Sequence, residues 1–126
     1  MTSAVFTKTI AMALLLVGLS ATARSETGDS GQADASARLE EGRLLAFDRS
    51  KGNCLACHAM AGGELAGNFG PPLMMMKVRY PDRATLRSQV WDATERVPNT
   101  TMPPFGRHRI LTEEEIDLVV DFLLSL

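Results

Sequence analysis

At 126 residues the chain has room for one domain, and its 13 basic against 15 acidic side chains leave a formal charge of −2. With no clustered basic stretch, this balance argues against a nucleic-acid or anionic-membrane partner, either of which calls for a basic face.

The first 23 residues read as a secretory signal. Lys8 and the free amine supply a positive start, Ile10 to Leu19 is apolar apart from Gly18, and Ala21-Thr22-Ala23 is a small-x-small cleavage site. The apolar run is shorter than the roughly 20 residues a membrane span needs, so no span is expected and the mature chain is placed outside the cytoplasm, in the periplasm. Losing Lys8 and no acid leaves 12 basic and 15 acidic residues, a formal −3. Arg24 to Ala37 is rich in Ser, Gly, Asp and Ala without a large apolar side chain, so residues 24–37 read as a flexible leader and 38–126 as the folded domain.

From Leu39 a helical pattern runs through Leu44, Leu45 and Phe47 and stops near Ser50-Lys51-Gly52-Asn53. Gly42 inside it costs about 1 kcal/mol relative to alanine, so it is either tolerated or marks the place where another helix crosses.

Next comes Cys54-Leu55-Ala56-Cys57-His58, the C-x-x-C-H attachment pattern of a c-type haem. Two thiols three residues apart can each add across a haem vinyl group, and the adjacent histidine is delivered to one axial position of the iron. A zinc site would need four good ligands. The chain offers Cys54, Cys57, His58 and His108, two of them sequence neighbours that cannot easily bind one tetrahedral ion. A redox disulfide of the thioredoxin kind would need a βαβ frame, which is not legible here. One covalent haem c is therefore expected, and it would add apolar bulk to a domain of about 100 residues, small for a self-sufficient core.

A glycine-dense loop, Ala59 to Gly70, leads to Gly70-Pro71-Pro72-Leu73. The Pro71 carbonyl is a candidate acceptor for the second ring N–H of His58, an arrangement that orients metal-ligating histidines; a plain turn made by the two prolines is the alternative. After Met74-Met75-Met76, Asp82 is a candidate N-cap for a second helix through Leu86, Val90, Ala93 and Val97, ended by Pro98. The last helix opens with the capping box Thr112-Glu113-Glu114-Glu115, and Ile116, Val119, Val120, Leu123 and Leu126 make one apolar stripe, for which the first helix is the expected partner. No segment shows the period of a strand, so the fold class is all-α.

The sixth ligand of the iron must come from elsewhere. Met1 and Met12 leave with the signal, and Met60 is too near His58 to cross to the opposite face. Met74, Met75 and Met76 could reach, but read as flexible core filling. Met102, 44 positions after His58, sits in the proline-stiffened stretch Pro98-Asn99-Thr100-Thr101-Met102-Pro103-Pro104-Phe105-Gly106, which can lie across a haem face. Met102 is the preferred ligand, the methionine run comes second, and His108, between two arginines, reads as a surface residue. Iron held by His58 and Met102 has no vacancy for substrate, and thioether ligation raises its potential, which suits single-electron exchange.

With these parts in place the sequence resembles class I cytochromes c, and among them the SoxX family, small cytochrome subunits of the SoxAX complex of bacterial sulfur oxidation. The likeness rests on Gly52 to His58, Gly70-Pro71-Pro72-Leu73, Val90-Trp91-Asp92, Pro98 to Gly106, and Leu111-Thr112. One departure is that Phe47 follows Gly42 after five positions where four is common. The resemblance implies a class I cytochrome c fold over 38–126, a haem attached through Cys54 and Cys57, and iron bound by His58 and Met102. It also implies a SoxA-like haem subunit as partner, and passing contacts with a SoxYZ-like carrier protein and a cytochrome electron acceptor. The implied reaction is that of an L-cysteine S-thiosulfotransferase, coupling thiosulfate oxidatively to a carrier cysteine, with substrate chemistry on the partner and this chain passing electrons. The competing reading is a free periplasmic electron carrier. Two aromatic residues stay open: Trp91 either points its indole N–H at a haem propionate or packs in the core, and Phe105 either anchors a partner or covers the haem.

Overall fold

The computed structural model describes residues 27–126; the predicted signal over 1–23 lies outside the described residues. Four helices carry the domain: α1 (Thr27–Phe47), a single turn α2 (Met76–Arg79), α3 (Arg83–Trp91) and α4 (Glu113–Leu124). Among the described residues there is no strand, and only a parallel bridge joins Met60 to Leu73.

Within the flexible leader expected over 24–37, the chain is helical from Thr27 onward, and residues 30–38 are exposed. Ala33, Ala35 and Ala37 are strong helix formers, and lengthening a helix whose later turns are already packed costs little. The buried stripe of α1 also differs from the pattern of large apolar residues. Gly42 and Ala46, four apart, are its buried residues, while Leu44 is 54% exposed. The reason lies in α4. A methyl group on Gly42 would sit 2.1 Å from the Leu118 carbonyl oxygen, so the two helix backbones touch there and only small side chains fit. Of the two readings of Gly42, the close crossing is the one observed. Phe47, one position later than is common, still meets Phe122 edge-on at 6.0 Å.

The predicted capping box is formed: the Thr112 hydroxyl accepts from the Glu115 amide and the Glu115 carboxylate accepts from the Thr112 amide. Ile116, Val119, Val120 and Leu123 are buried as expected, and Leu118 and Phe122 join them because α4 is enclosed by α1 on one side and α3 on the other. On the α3 side, Glu113, Asp117 and Asp121 run at helical spacing opposite Arg83 and Arg87. Arg87 bonds Glu113 at 3.3 Å and Asp117 at 3.1 Å, and Arg83 bonds Asp117 at 3.0 Å and Asp121 at 2.9 Å. Arg38 of α1 reaches Asp121 at 3.1 Å, so the ladder ties three helices together. Exposed pairs of this kind contribute about 0–1 kcal/mol each; they set register more than stability.

Asp82 caps α3 through the amides of Ala84 and Thr85. The predicted second helix does not continue to Pro98. It stops at Asp92, whose carboxylate reaches forward to accept from the Thr94 amide at 3.0 Å, and a short 3₁₀ turn, Ala93–Glu95, follows. A side-chain acceptor two residues upstream offers the backbone an alternative to the helical bond. Asp92 is 2% exposed and is paired with Arg107 at 2.8 Å, so the break is locked from the following loop. The Thr94 hydroxyl and then the Thr94 amide, both bonded to its carboxylate, hold Asp92 below the usual carboxylate range against the opposing effect of burial, and the Arg107 charge adds to them.

Candidate haem site

Asn53, in the left-handed conformation at φ 47°, turns the chain out of α1 into a 3₁₀ turn, Cys54–Ala56. The Gly52 amide bonds back to the Leu45 carbonyl at 3.1 Å and the His58 amide to the Cys54 carbonyl at 2.9 Å. The turn is thereby anchored to the helix before it and closed on itself. Its outcome is that Cys54, Cys57 and His58 line one cavity of about 580 Å³, inside the range of about 300–1,000 Å³ usual for small-molecule and cofactor sites. The two cysteines form no disulfide with each other. Burial pushes the Cys54 thiol up to about 11, so it faces the cavity as a neutral, apolar sulfur.

The loop from 59 to 72 folds back over the turn. Gly67, Gly70 and Leu73 donate their amides to the carbonyls of Leu55, Cys57 and Ala59, each at 2.8 Å. Gly70 lies against the imidazole, where a methyl group would come within 2.3 Å of Cε1. The next residue supplies the acceptor nominated from sequence: His58 Nδ1 lies 2.7 Å from the Pro71 carbonyl oxygen. A carbonyl can only accept, so Nδ1 carries the proton and Nε2 presents a free lone pair.

Met102 lines the same cavity, half-buried, with its amide bonded to the Thr100 hydroxyl at 3.1 Å. Of the methionine run, Met74 and Met75 are 56% and 64% exposed, whereas Met76 is 2% exposed and lines the cavity. Its sulfur already accepts from Arg79 at 3.6 Å. Met60 is buried beside Leu73, and His108 is exposed; neither lines the cavity.

For each of the two aromatic residues with two open readings, the structure favours packing. Trp91 lines a separate cleft instead of this cavity, packed where a methyl group on Gly106 would overlap its ring and stacked under the Arg87 guanidinium at 5.6 Å, which matches the packing reading. Phe105 is 6% exposed and forms cavity wall, which removes it as a surface anchor. The exposed apolar groups lining the cavity are Phe69 and Val97, 76% and 52% exposed; the sequence pattern placed Val97 on the second helix and gave no signal for Phe69, which lies in the glycine-dense loop.

The donor set fits a haem: two thiols on one turn, one imidazole with a directed lone pair and a thioether 44 residues later all line a largely apolar cavity. The cations Arg49, Lys51 and Arg79 also line it, and among the described residues no carboxylate does, which suits a macrocycle that carries carboxylates. Among the described residues no three His, Cys, Asp or Glu side chains converge as a bare metal cluster.

A family model described as cytochrome c matches residues 39–126. Among solved structures, the crystal structure of SoxXA from P. pantotrophus is similar, with 29% identity and a TM-score of 0.62, over 68% of this chain and 79% of that one. An uncharacterized lipoprotein of Aquifex aeolicus (strain VF5) is 38% identical over 74 residues, which cover 58% of this chain and 36% of the relative. The chain thus spans about a third of that relative's length.

Proposed function

The chain belongs to the cytochrome c family, and from that premise we propose that it is the electron-transfer subunit of a SoxAX-type complex, carrying one haem c. The haem supplies reversible one-electron oxidation and reduction. Cys54 and Cys57 would hold it through thioethers, and His58 through Nε2 and Met102 through its sulfur would bind the iron. The observation that carries the reading is the shared cavity of these four residues, with the His58 tautomer set by the Pro71 carbonyl. The likeness to SoxXA supports a SoxA-like haem subunit as partner. In that assembly thiosulfate joins a carrier-protein cysteine of SoxYZ type through a new S–S bond, with loss of the thiol proton and two electrons. A single haem accepts one electron at a time, so a second redox centre and a cytochrome acceptor are required. The thiosulfotransferase chemistry belongs to the partner. Export through the 1–23 signal places the reaction in the periplasm; no helix among the described residues is long and apolar enough to cross a membrane.

Mass spectrometry of the mature protein under denaturing conditions is expected to show the polypeptide plus one haem, with at most one thioether left in Cys54→Ser. Met102→Ala is expected to abolish the near-infrared sulfur-to-iron band of the ferric protein and to open the iron to added imidazole, while Met76→Ala leaves the band in place. The reverse pattern would assign the ligand to Met76. Binding to a SoxA-like protein and thiosulfate-dependent haem reduction in the presence of a SoxYZ-like carrier protein test the wider role. Absence of binding at micromolar concentrations would favour a free electron carrier.

A further inference from the structure

The turn that follows Met102 carries cations that the haem cavity does not use. The Trp91 carbonyl accepts from the amides of Gly106 and Arg107, at 3.0 and 3.4 Å, and the amides of His108, Arg109 and Ile110 bond back to Pro104, Gly106 and Phe105 at 2.9–3.0 Å. This tight loop leaves Arg107, His108 and Arg109 side by side and exposed. Beneath them is the cleft containing Trp91, about 540 Å³, with Gly106, Arg107, Arg109, Leu111, Thr112 and Glu113 as its other walls.

The charges around this cleft are unequal. Arg107 is held in place by the buried carboxylate of Asp92 at 2.8 Å. Glu113, the one acid in the wall, is bonded by Arg87 at 3.3 Å, and Glu115 by Lys51 at 2.7 Å; Glu114 is exposed but outside the wall. Arg109 has no ion pair among the described residues. It stands at φ 56°, a left-handed conformation that glycine or asparagine adopts more readily, and residues held so tend to gather at binding sites. Leu111 lines both this cleft and the haem cavity, so an occupant of the cleft lies one side chain from the redox site.

We propose that the Trp91–Arg107–Arg109 cleft is a docking site for an acidic loop of a protein redox partner, with a partner carboxylate received by Arg109. The kind of partner rests on the electron-transfer reading; the acidic chemistry rests on the cleft alone. A patch of this sign steers the encounter and sets orientation, and its effect fades as salt screens it.

The test is titration of the ¹⁵N-labelled holoprotein with a blocked tetra-aspartate peptide, followed by NMR, with tetra-asparagine as control. Saturable shifts are expected at the Trp91 indole N–H and the amides of 106–113, absent with the control and lost at high salt. R109E is expected to weaken binding roughly tenfold, while R109K keeps most of it. Unchanged affinity in R109E, or shifts centred on Arg49, Lys51 and Arg79, would overturn the proposal. So would competition by inorganic sulfate at equal concentration, which would make the cleft a site for small oxyanions. Binding is read without electron transfer, so its failure stays separate from failure of the haem reading, which the mass and the near-infrared band decide.

Discussion

Exchanging Gly70 for alanine is expected to turn the His58 imidazole away from the Pro71 carbonyl and to weaken its hold on the iron by roughly tenfold or more. The added methyl would lie 2.3 Å from Cε1, 2.6 Å from Nδ1 and 2.8 Å from Nε2, closer than non-bonded atoms can approach. Two movements could relieve the overlap. Rotating the ring breaks the 2.7 Å bond from Nδ1 to Pro71, and shifting the backbone at 70 stretches that bond together with the 2.8 Å bond from the Gly70 amide to Cys57. Either way the imidazole loses its orientation. In absorption spectra of the ferric holoprotein the low-spin signal should give way to a high-spin fraction, and the midpoint potential should move. A Gly70→Ala protein with wild-type spectrum and potential would mean that His58 is not an iron ligand.

Gly42→Ala is expected to lower stability by about 2 kcal/mol, whereas Gly31→Ala in the same helix should be neutral or mildly stabilising. Alanine improves helix propensity by about 1 kcal/mol at either site. At Gly31 nothing lies within 4 Å of the new methyl, so that gain stands alone. At Gly42 the methyl would meet the Leu118 carbonyl oxygen at 2.1 Å, its carbon at 2.7 Å and Phe122 Cβ at 3.0 Å. Two of these atoms are backbone and cannot turn aside, so α1 and α4 must separate, loosening Ala46, Phe47 and Phe122. Overpacking of this kind costs about 1–3 kcal/mol before any loss of buried area, enough to outweigh the propensity. A fall in Tm on the order of 10 °C for Gly42→Ala, against little change for Gly31→Ala, is the expected readout. Equal stabilities would contradict the close crossing.

Much of the site was legible because its chemistry is local. Cys54, Cys57 and His58 fall on one short turn, and the Pro71 acceptor follows from how a ligating imidazole must be held. The Thr112 capping box was equally readable, since all its atoms lie within one turn of helix. The second helix was misjudged at Asp92 because Ala93 and Val97 do fall at helical spacing. A side chain that bonds forward to Thr94 and sideways to Arg107 competes with the helix in a way periodicity does not record.

Trp91 and Phe105 show the same division. Their types and neighbours suited either a cofactor contact or packing, and only the path of the 104–111 turn decided that the indole lies over Gly106 while the phenyl faces the cavity. By itself the sequence determined the all-α class, the C-x-x-C-H turn and the cap that starts α4, and it nominated the ligands; all of these depend on residues close in the chain or on side-chain chemistry alone. Tertiary structure decided that Gly42 is the crossing point, that Met76 as well as Met102 lines the cavity, and that the cations after Met102 gather over a cleft. Those outcomes depend on which backbones approach within a methyl's width across 40 to 80 residues, and no local preference encodes such a distance.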